Sequence, residues 1–151
     1  MGFERVSVEK LTTVIIGITV LVIAAGGVIR IYDAGESCPD WPTCFGTWGF
    51  DISEDEQIEW FDDNPSEIDS RGSSHTYTSF QIFTEWIHRL LAGALLGPLV
   101  ILNWWIIRKD EELTNEVKLA SLISVLLIGW QGFLGYVTVR LDNLHWSVAL
   151  H

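Results

Sequence analysis

Three long apolar blocks without a charged residue constrain what this chain can fold into. They cover residues 12–29, 90–107 and 119–139, and a helix needs roughly 20 apolar residues, range about 17–25, to cross a hydrocarbon core. The chain is 48% hydrophobic yet has a net charge of -11, because its acidic residues lie between the blocks. In a soluble protein the three blocks would have to be buried core helices, and the rest of so short a chain provides too little polar surface to cover them. We therefore predict a membrane protein.

The blocks predict an all-α transmembrane fold. We expect a four-helix bundle with three complete helices and the start of a fourth, forming a single membrane domain over residues 1–151. The first block is retained rather than cleaved, since it exceeds the usual signal-peptide apolar run of about 7–15 residues and ends in Arg30. The predicted helices are residues 11–32, 81–107, 117–139 and 144–151, and a long loop covers residues 33–80. A spanning helix that ended after two turns would leave backbone carbonyls unsatisfied in lipid, so we expect a truncation at His151 rather than an interfacial stub.

The basic residues predict the orientation. Arg108, Lys109 and Lys118 lie around the connection between the second and third helices, whereas the long loop holds many acids and only Arg71. Because basic residues favour the cytoplasmic side, we predict a multi-pass plasma-membrane protein with a cytoplasmic amino terminus and the acidic loop outside. We expect its acidic stretch, residues 51–69, to be solvated, with cation binding as the functional alternative. A net charge of this sign gives no reason to expect a nucleic-acid partner.

Two cysteines, Cys38 and Cys44, lie early in that loop in the segment Cys-Pro-Asp-Trp-Pro-Thr-Cys. In an oxidising compartment, a close pair beside turn-forming prolines is a plausible short-loop disulfide. Such a disulfide serves either as a structural staple or as a redox-active pair, and the residues alone do not decide between these roles. A zinc site is disfavoured, because there are only two thiols and no histidine nearby.

The most informative polar cluster is Glu85-Trp86-Ile87-His88-Arg89, where the loop turns into the second apolar helix. Ionisable residues inside a membrane are rare and usually functional. At positions i, i+3 and i+4, Glu85, His88 and Arg89 share one helix face. Glu85 either pairs with Arg89 or acts as a general base, a proton relay or a group that stabilises positive charge on a substrate.

His88 and His151 are predicted at matching depth on two helices that run in the same direction. Two imidazoles in that arrangement favour axial ligation of the iron of one heme, although a lone membrane histidine also serves as a hydrogen-bonding partner for a neighbouring helix. His145 is about 120° away from His151 around the helix, so both cannot face one cofactor.

Three arginines are predicted near the outer face of the membrane, above the level of this pair. Arg30, Arg89 and Arg140 could bind heme propionates, and the alternative is ordinary snorkelling towards the headgroups.

Four segments, taken in this order, resemble the heme A synthase family. They are Gly35-Glu36-Ser37-Cys38-Pro39-Asp40-Trp41-Pro42-Thr43-Cys44, Glu85-Trp86-Ile87-His88-Arg89-Leu90, Gln131-Gly132, and His145-Trp146-Ser147-Val148-Ala149-Leu150-His151. The resemblance covers nearly the whole chain. The cysteine segment and the Glu-x-x-His-Arg segment are specific in combination and weak alone.

This resemblance implies oxidation of the C8 methyl group of heme O to the formyl group of heme A, for the heme-copper terminal oxidases of respiratory chains. It implies that Glu85 is catalytic, that His88 and His151 flank one heme site, and that Cys38 and Cys44 form a disulfide when oxidised. The implied cofactors are heme O as substrate or heme b, with iron, and the implied partners are membrane lipid, heme O synthase and the terminal oxidase.

Typical members of that family have two four-helix halves, so a half-length member would be expected to form a homo-oligomer. The alternative function is a non-catalytic, b-type-cytochrome-like heme carrier, which would need neither Glu85 nor the cysteines.

Overall fold

The computed structural model describes residues 2–151 of the chain, with side chains from residue 8 onwards. Among the described residues, three helical stretches are long and apolar enough to cross a membrane: Val8–Ile31, Ser79–Lys109 and Asn115–Arg140. They agree with the predicted spans to within a few residues at each end, and no β-strand occurs in the described part of the chain. The prediction of an all-α membrane protein is confirmed.

The helices follow one another along the chain with one long interruption. In order they are α1 (Gly2–Ile31), α2 (Glu54–Asp63), α3 (Ser79–Arg89), α4 (Gly97–Lys109), α5 (Asn115–Arg140) and α6 (His145–Leu150). The six-residue α6 lies where the start of a fourth helix was predicted. Residues 32–78 form the long loop, which contains α2 and a short 3-10 helix at Pro65–Glu67.

Contacts divide the chain into two compact units. The first comprises the chain up to Ile23 together with Leu90–Phe133, and the second comprises Ala24–Arg89 together with Leu134–His151. Every candidate site residue lies in the second unit. These units are groups of contacting residues, and the prediction of a single membrane domain stays a prediction.

The second membrane helix is not a uniform α-helix. A π-helical segment, Leu90–Leu96, separates α3 from α4. Pro98 follows at the start of α4. Proline has no N–H to donate to a carbonyl of the preceding turn, and its ring clashes with that turn. A π-helical segment absorbs that defect and is frequent at functional sites. The apolar pattern predicted the helix but not this local change, which begins directly after Arg89.

The acidic part of the long loop is more ordered than the sequence suggested. Ser53 and Glu56 form a capping box at the start of α2, in which each side chain binds the other residue's backbone N–H. Gln57 and Phe61, on one face of α2, are buried. The expectation of a wholly solvated stretch is therefore wrong for this face, because a small apolar cluster forms beneath it from Cys38, Cys44, Phe45, Ile52, Phe61, Tyr77 and Ile82.

Gln57 connects α2 to the far end of the long loop. Its side-chain nitrogen donates to the carbonyls of Ile52 at 3.3 Å and Tyr77 at 3.0 Å, and its oxygen accepts from the Tyr77 N–H at 2.8 Å. A buried amide is stable only when its polar atoms have partners. This side chain satisfies backbone groups that would otherwise be buried without one.

Candidate functional site

The structure brings the two predicted ligand histidines together. His88 is in the last turn of α3, and His151 follows α6. Their ring centroids are 6.2 Å apart and the ring planes are nearly perpendicular, at 88°. The two rings therefore form a close pair, while their matching depth in a membrane and their role as axial ligands stay predictions.

A glycine lies against each imidazole. A Cβ on Gly26 of α1 would lie 3.4 Å from His88 Cε1, and a Cβ on Gly135 of α5 would lie only 2.9 Å from His151 Cε1. A side chain at position 135 would therefore displace the His151 ring, so glycine is required there for the close approach. Gly135 was missed, because a glycine in an apolar helix shows no partner in the sequence.

Glu85 lies one turn before His88 and points away from solvent, with its side chain 5% exposed. Its Oε2 accepts hydrogen bonds from the Ser37 hydroxyl at 3.0 Å and from the Cys38 backbone N–H at 2.9 Å. Its Oε1 accepts one from the guanidinium of Arg89. The carboxylate is thus bound both to its own helix and to residues 37–44, which we call the cysteine loop. Ser37, which is fully buried, was not singled out from the sequence.

Arg89 holds the cysteine loop against α3. Its guanidinium donates to the backbone carbonyls of Cys38, Asp40 and Thr43 and to the carboxylate of Glu85. Four of its five N–H groups are therefore occupied by the protein. The predicted contact of Arg89 with a heme propionate stays a prediction. Its pairing with Glu85 was one of the alternatives that the sequence offered, whereas its bonds to the backbone carbonyls of the cysteine loop were not indicated by the sequence.

The disulfide predicted between Cys38 and Cys44 is formed, with the Cα atoms 4.5 Å apart. Both residues are buried, at 0% and 1% exposure, within the apolar cluster under α2. Cys44 also pairs with Thr47 through two backbone hydrogen bonds. The covalent bond thus closes a compact loop whose interior faces protein rather than water.

The other two arginines are placed differently. Arg30 is exposed in the last turn of α1. Arg140 pairs with Glu67 at 2.8 Å and lies over the Tyr136 ring. Neither placement tests the predicted contact with propionates.

A second polar network, not predicted from the sequence, joins the long loop to the turn before α6. Arg71 pairs with Glu36 and with Asp69, the latter at 3.1 Å. Burial, reinforced by a hydrogen bond with Asp142, raises the pKa of Glu36 to about 8. Burial also raises the pKa of Tyr77, whose hydroxyl donates to Asp69. Glu36 therefore carries a proton near neutral pH.

Comparison with known proteins identifies the family. The family model described as COX15-CtaA, cytochrome oxidase assembly protein, matches residues 9–151. This chain belongs to that family. No solved structure matches.

Three curated relatives that this chain resembles share the name Heme A synthase. The Heme A synthase of Shewanella oneidensis is 34% identical over 133 residues, which is 88% of this chain and 37% of that protein. The Heme A synthase of Halalkalibacterium halodurans is 29% identical over 87% of this chain and 36% of its own length. That of Cereibacter sphaeroides is 31% identical over 93% of this chain and 34% of its own length. The chain thus spans about a third of the length of the relatives it matches.

Proposed function

We propose that this chain forms a heme-binding bundle of a heme A synthase, which oxidises the C8 methyl group of heme O to the formyl group of heme A. The observation that carries this proposal is the close approach of His88 and His151, one turn beyond a buried glutamate. The names of the relatives in the COX15-CtaA family support the same reaction.

The distance between the two imidazoles fits a shared iron. A metal–nitrogen bond to histidine is about 2 Å, and the centre of an imidazole lies about 1 Å behind its ligating nitrogen. Two imidazoles that both bound one iron would therefore have ring centres roughly 6 Å apart, and the ring centres of His88 and His151 are 6.2 Å apart. Gly26 and Gly135 leave room for the rings at that separation. In this proposal His88 and His151 hold the iron of heme O, or of a heme b, which when bound supplies one-electron redox chemistry.

Glu85 is proposed as the residue that handles protons. Converting a methyl group and one water into a formyl group releases four electrons, which an electron acceptor from outside this chain would have to take, and four protons, which require a base. Glu85 is the buried carboxylate nearest to His88 along α3. Its present donors, the Ser37 hydroxyl and the Cys38 N–H among them, fix its orientation before a substrate is bound. A positioned carboxylate of this kind typically contributes about 10²–10⁴-fold to a proton-transfer step.

The proposed location is the plasma membrane, with a cytoplasmic amino terminus and the long loop outside. A disulfide in the long loop supports that side, because disulfides persist in oxidising compartments. Heme O synthase would supply the substrate, and a heme-copper terminal oxidase would receive the product. A half-length member would form a homo-oligomer to complete the site.

The function is tested by pigment analysis. The chain, continued by any coding sequence that follows it, is expressed in a bacterial host that makes heme O but not heme A, and the extracted hemes are separated by chromatography. We expect heme A or its hydroxylated precursor from the wild type. The Glu85→Gln variant should retain bound heme and lose at least tenfold in heme A. Bound heme without any oxidised product from the wild type would refute the proposal and favour the non-catalytic heme carrier.

A further inference from the structure

Three exposed aromatic residues and the partly buried Trp86 pack together where the long loop meets α3. Phe50 packs against Phe83 and Trp86, with ring centroids 5.0 Å away in each case. The Trp86 indole N–H donates to the Trp48 carbonyl at 2.9 Å. We call Trp48, Phe50, Phe83 and Trp86 the aromatic patch. Trp48 is 74% exposed, and Phe50 and Phe83 are each more than a third exposed.

The patch is tied to a helix that crosses the membrane. Phe83 and Trp86 belong to the apolar stretch Ser79–Lys109, so the hydrogen bond from Trp86 holds residue 48 at the level of that stretch. Arg89 and Glu85 independently hold the cysteine loop, which leads into Trp48, against the same helix. The cysteine loop and the segment that carries Trp48 are therefore each fixed to the same helix by hydrogen bonds of their own.

Other exposed aromatic residues mark the same end of the helices. Tyr32 and Phe80, at the end of α1 and the start of α3, pack edge to face at 4.9 Å. Trp41 of the cysteine loop packs against Tyr136, near the end of α5, at 6.5 Å. Tryptophan and tyrosine concentrate where the hydrocarbon core of a membrane meets the headgroups, because their rings are apolar and their N–H or O–H groups remain hydrated.

We propose that the aromatic patch is a lipid-binding surface that inserts the segment directly after the cysteine loop, residues 45–50, into the membrane interface. Its partner is the boundary between headgroups and acyl chains in the leaflet on the long-loop side. The disulfide ends at Cys44, and the turn that follows is held by two backbone hydrogen bonds between Cys44 and Thr47 and by the bond from Trp86 to the Trp48 carbonyl, so Trp48 is presented to lipid at little entropic cost. The acidic α2, which belongs to the same long loop, has no such aromatic surface and remains in water.

Spin-label accessibility tests the insertion. The full chain carrying Trp48→Cys is labelled with a nitroxide, which leaves the disulfide-bonded cysteines unreacted, and is reconstituted into vesicles of phosphatidylcholine and phosphatidylglycerol. Collisions with oxygen report contact with lipid, and collisions with a water-soluble nickel chelate report contact with water. Ile58→Cys on α2, a residue that is 41% exposed, provides the aqueous control. Leu126→Cys on α5, at 63% exposed, provides the lipid control.

We expect the ratio of oxygen to nickel collisions at position 48 to be at least fivefold higher than at position 58 and closer to that at position 126. Phe50→Cys should give the same result and replaces position 48 if the first variant does not fold. A ratio at position 48 within twofold of position 58 would place the patch in water and overturn the proposal. Suppression of both collision rates would show a protein partner, such as a second copy of the chain, and would equally overturn it.

Discussion

Replacing Arg89 with methionine should detach the cysteine loop from α3. The substitution retains most of the apolar stem of the side chain but removes its hydrogen bonds to Glu85 and to the carbonyls of Cys38 and Thr43. The ion pair is largely buried, with side-chain exposures of 16% for Arg89 and 5% for Glu85. Removing one partner of such a pair costs about 3–5 kcal/mol, because the other charge stays buried. Even the lower figure changes the equilibrium for loop opening by about a hundredfold, at 1.4 kcal/mol for each factor of ten.

Reduction of the disulfide measures that opening. Cys38 and Cys44 are buried, so a reductant reaches them only when the loop opens. When closing is faster than reduction, the observed rate follows the open population. We expect dithiothreitol to reduce the Arg89→Met variant about a hundredfold faster than the wild type, followed by a maleimide gel shift over time. Adding Glu85→Gln should recover part of the loss, since it removes the unpaired charge.

Arg140→Met is the matched control for this experiment. Arg140 also pairs with a glutamate of the same unit, but its side chain is 49% exposed. An exposed ion pair contributes about 0–1 kcal/mol. Its loss should change the reduction rate by less than about fivefold. Equal reduction rates for the wild type and Arg89→Met would refute the assignment of Arg89 as the residue that holds the loop.

Three further substitutions test other parts of the site. Gly135→Ala should weaken heme binding by at least tenfold, because the new Cβ would displace the His151 ring. Titration of the Soret band measures this binding. The control is Gly132→Ala, which places its Cβ in open space and should bind heme normally. The raised pKa of Glu36, about 8, means that the folded state holds a proton that the unfolded state releases above its ordinary pKa of 4.5. The thermal unfolding midpoint should therefore fall as the pH rises from about 5 to 8, and Glu36→Gln should flatten that slope. Gln57→Leu should lower the free energy of unfolding by about 1–3 kcal/mol in a detergent melt, because buried backbone groups lose their partners; an unchanged midpoint would contradict the role given to that amide.

The large features of this molecule could be predicted from the sequence because they depend on periodicity and length. Uncharged blocks determine the spans, and helix direction and depth were sufficient to pair His88 with His151. The cysteine pairing followed from spacing and prolines. Each of these inferences uses a property of the linear sequence, such as the length of an apolar block or the spacing of two residues, and needs no knowledge of side-chain packing.

The parts that were missed depend on contacts between distant segments. The Ser37 hydroxyl and the Cys38 N–H meet Glu85 across more than forty residues of sequence, and nothing local to Ser37 indicates that contact. Arg89 was predicted to bind a heme propionate. Three of its acceptors are backbone carbonyls, which every residue has, so the sequence could not reveal them. The capping box of Ser53 and Glu56 was visible as a Ser-x-x-Glu pattern, and that local signal could have revealed α2.

The proposed chemical role of Glu85 depends on the structure of the cysteine loop, because that loop supplies donors to its carboxylate. Its two oxygens accept three hydrogen bonds, of which two come from adjacent residues of the cysteine loop. The disulfide restricts those two donors, since it closes the loop directly at Cys38. Opening the loop would remove both donors from Oε2 at once, while the bond from Arg89, on the same helix, could persist. A substitution in the loop can therefore alter the carboxylate beside His88 without touching either histidine, so activity and heme binding must be measured separately for every variant of this site.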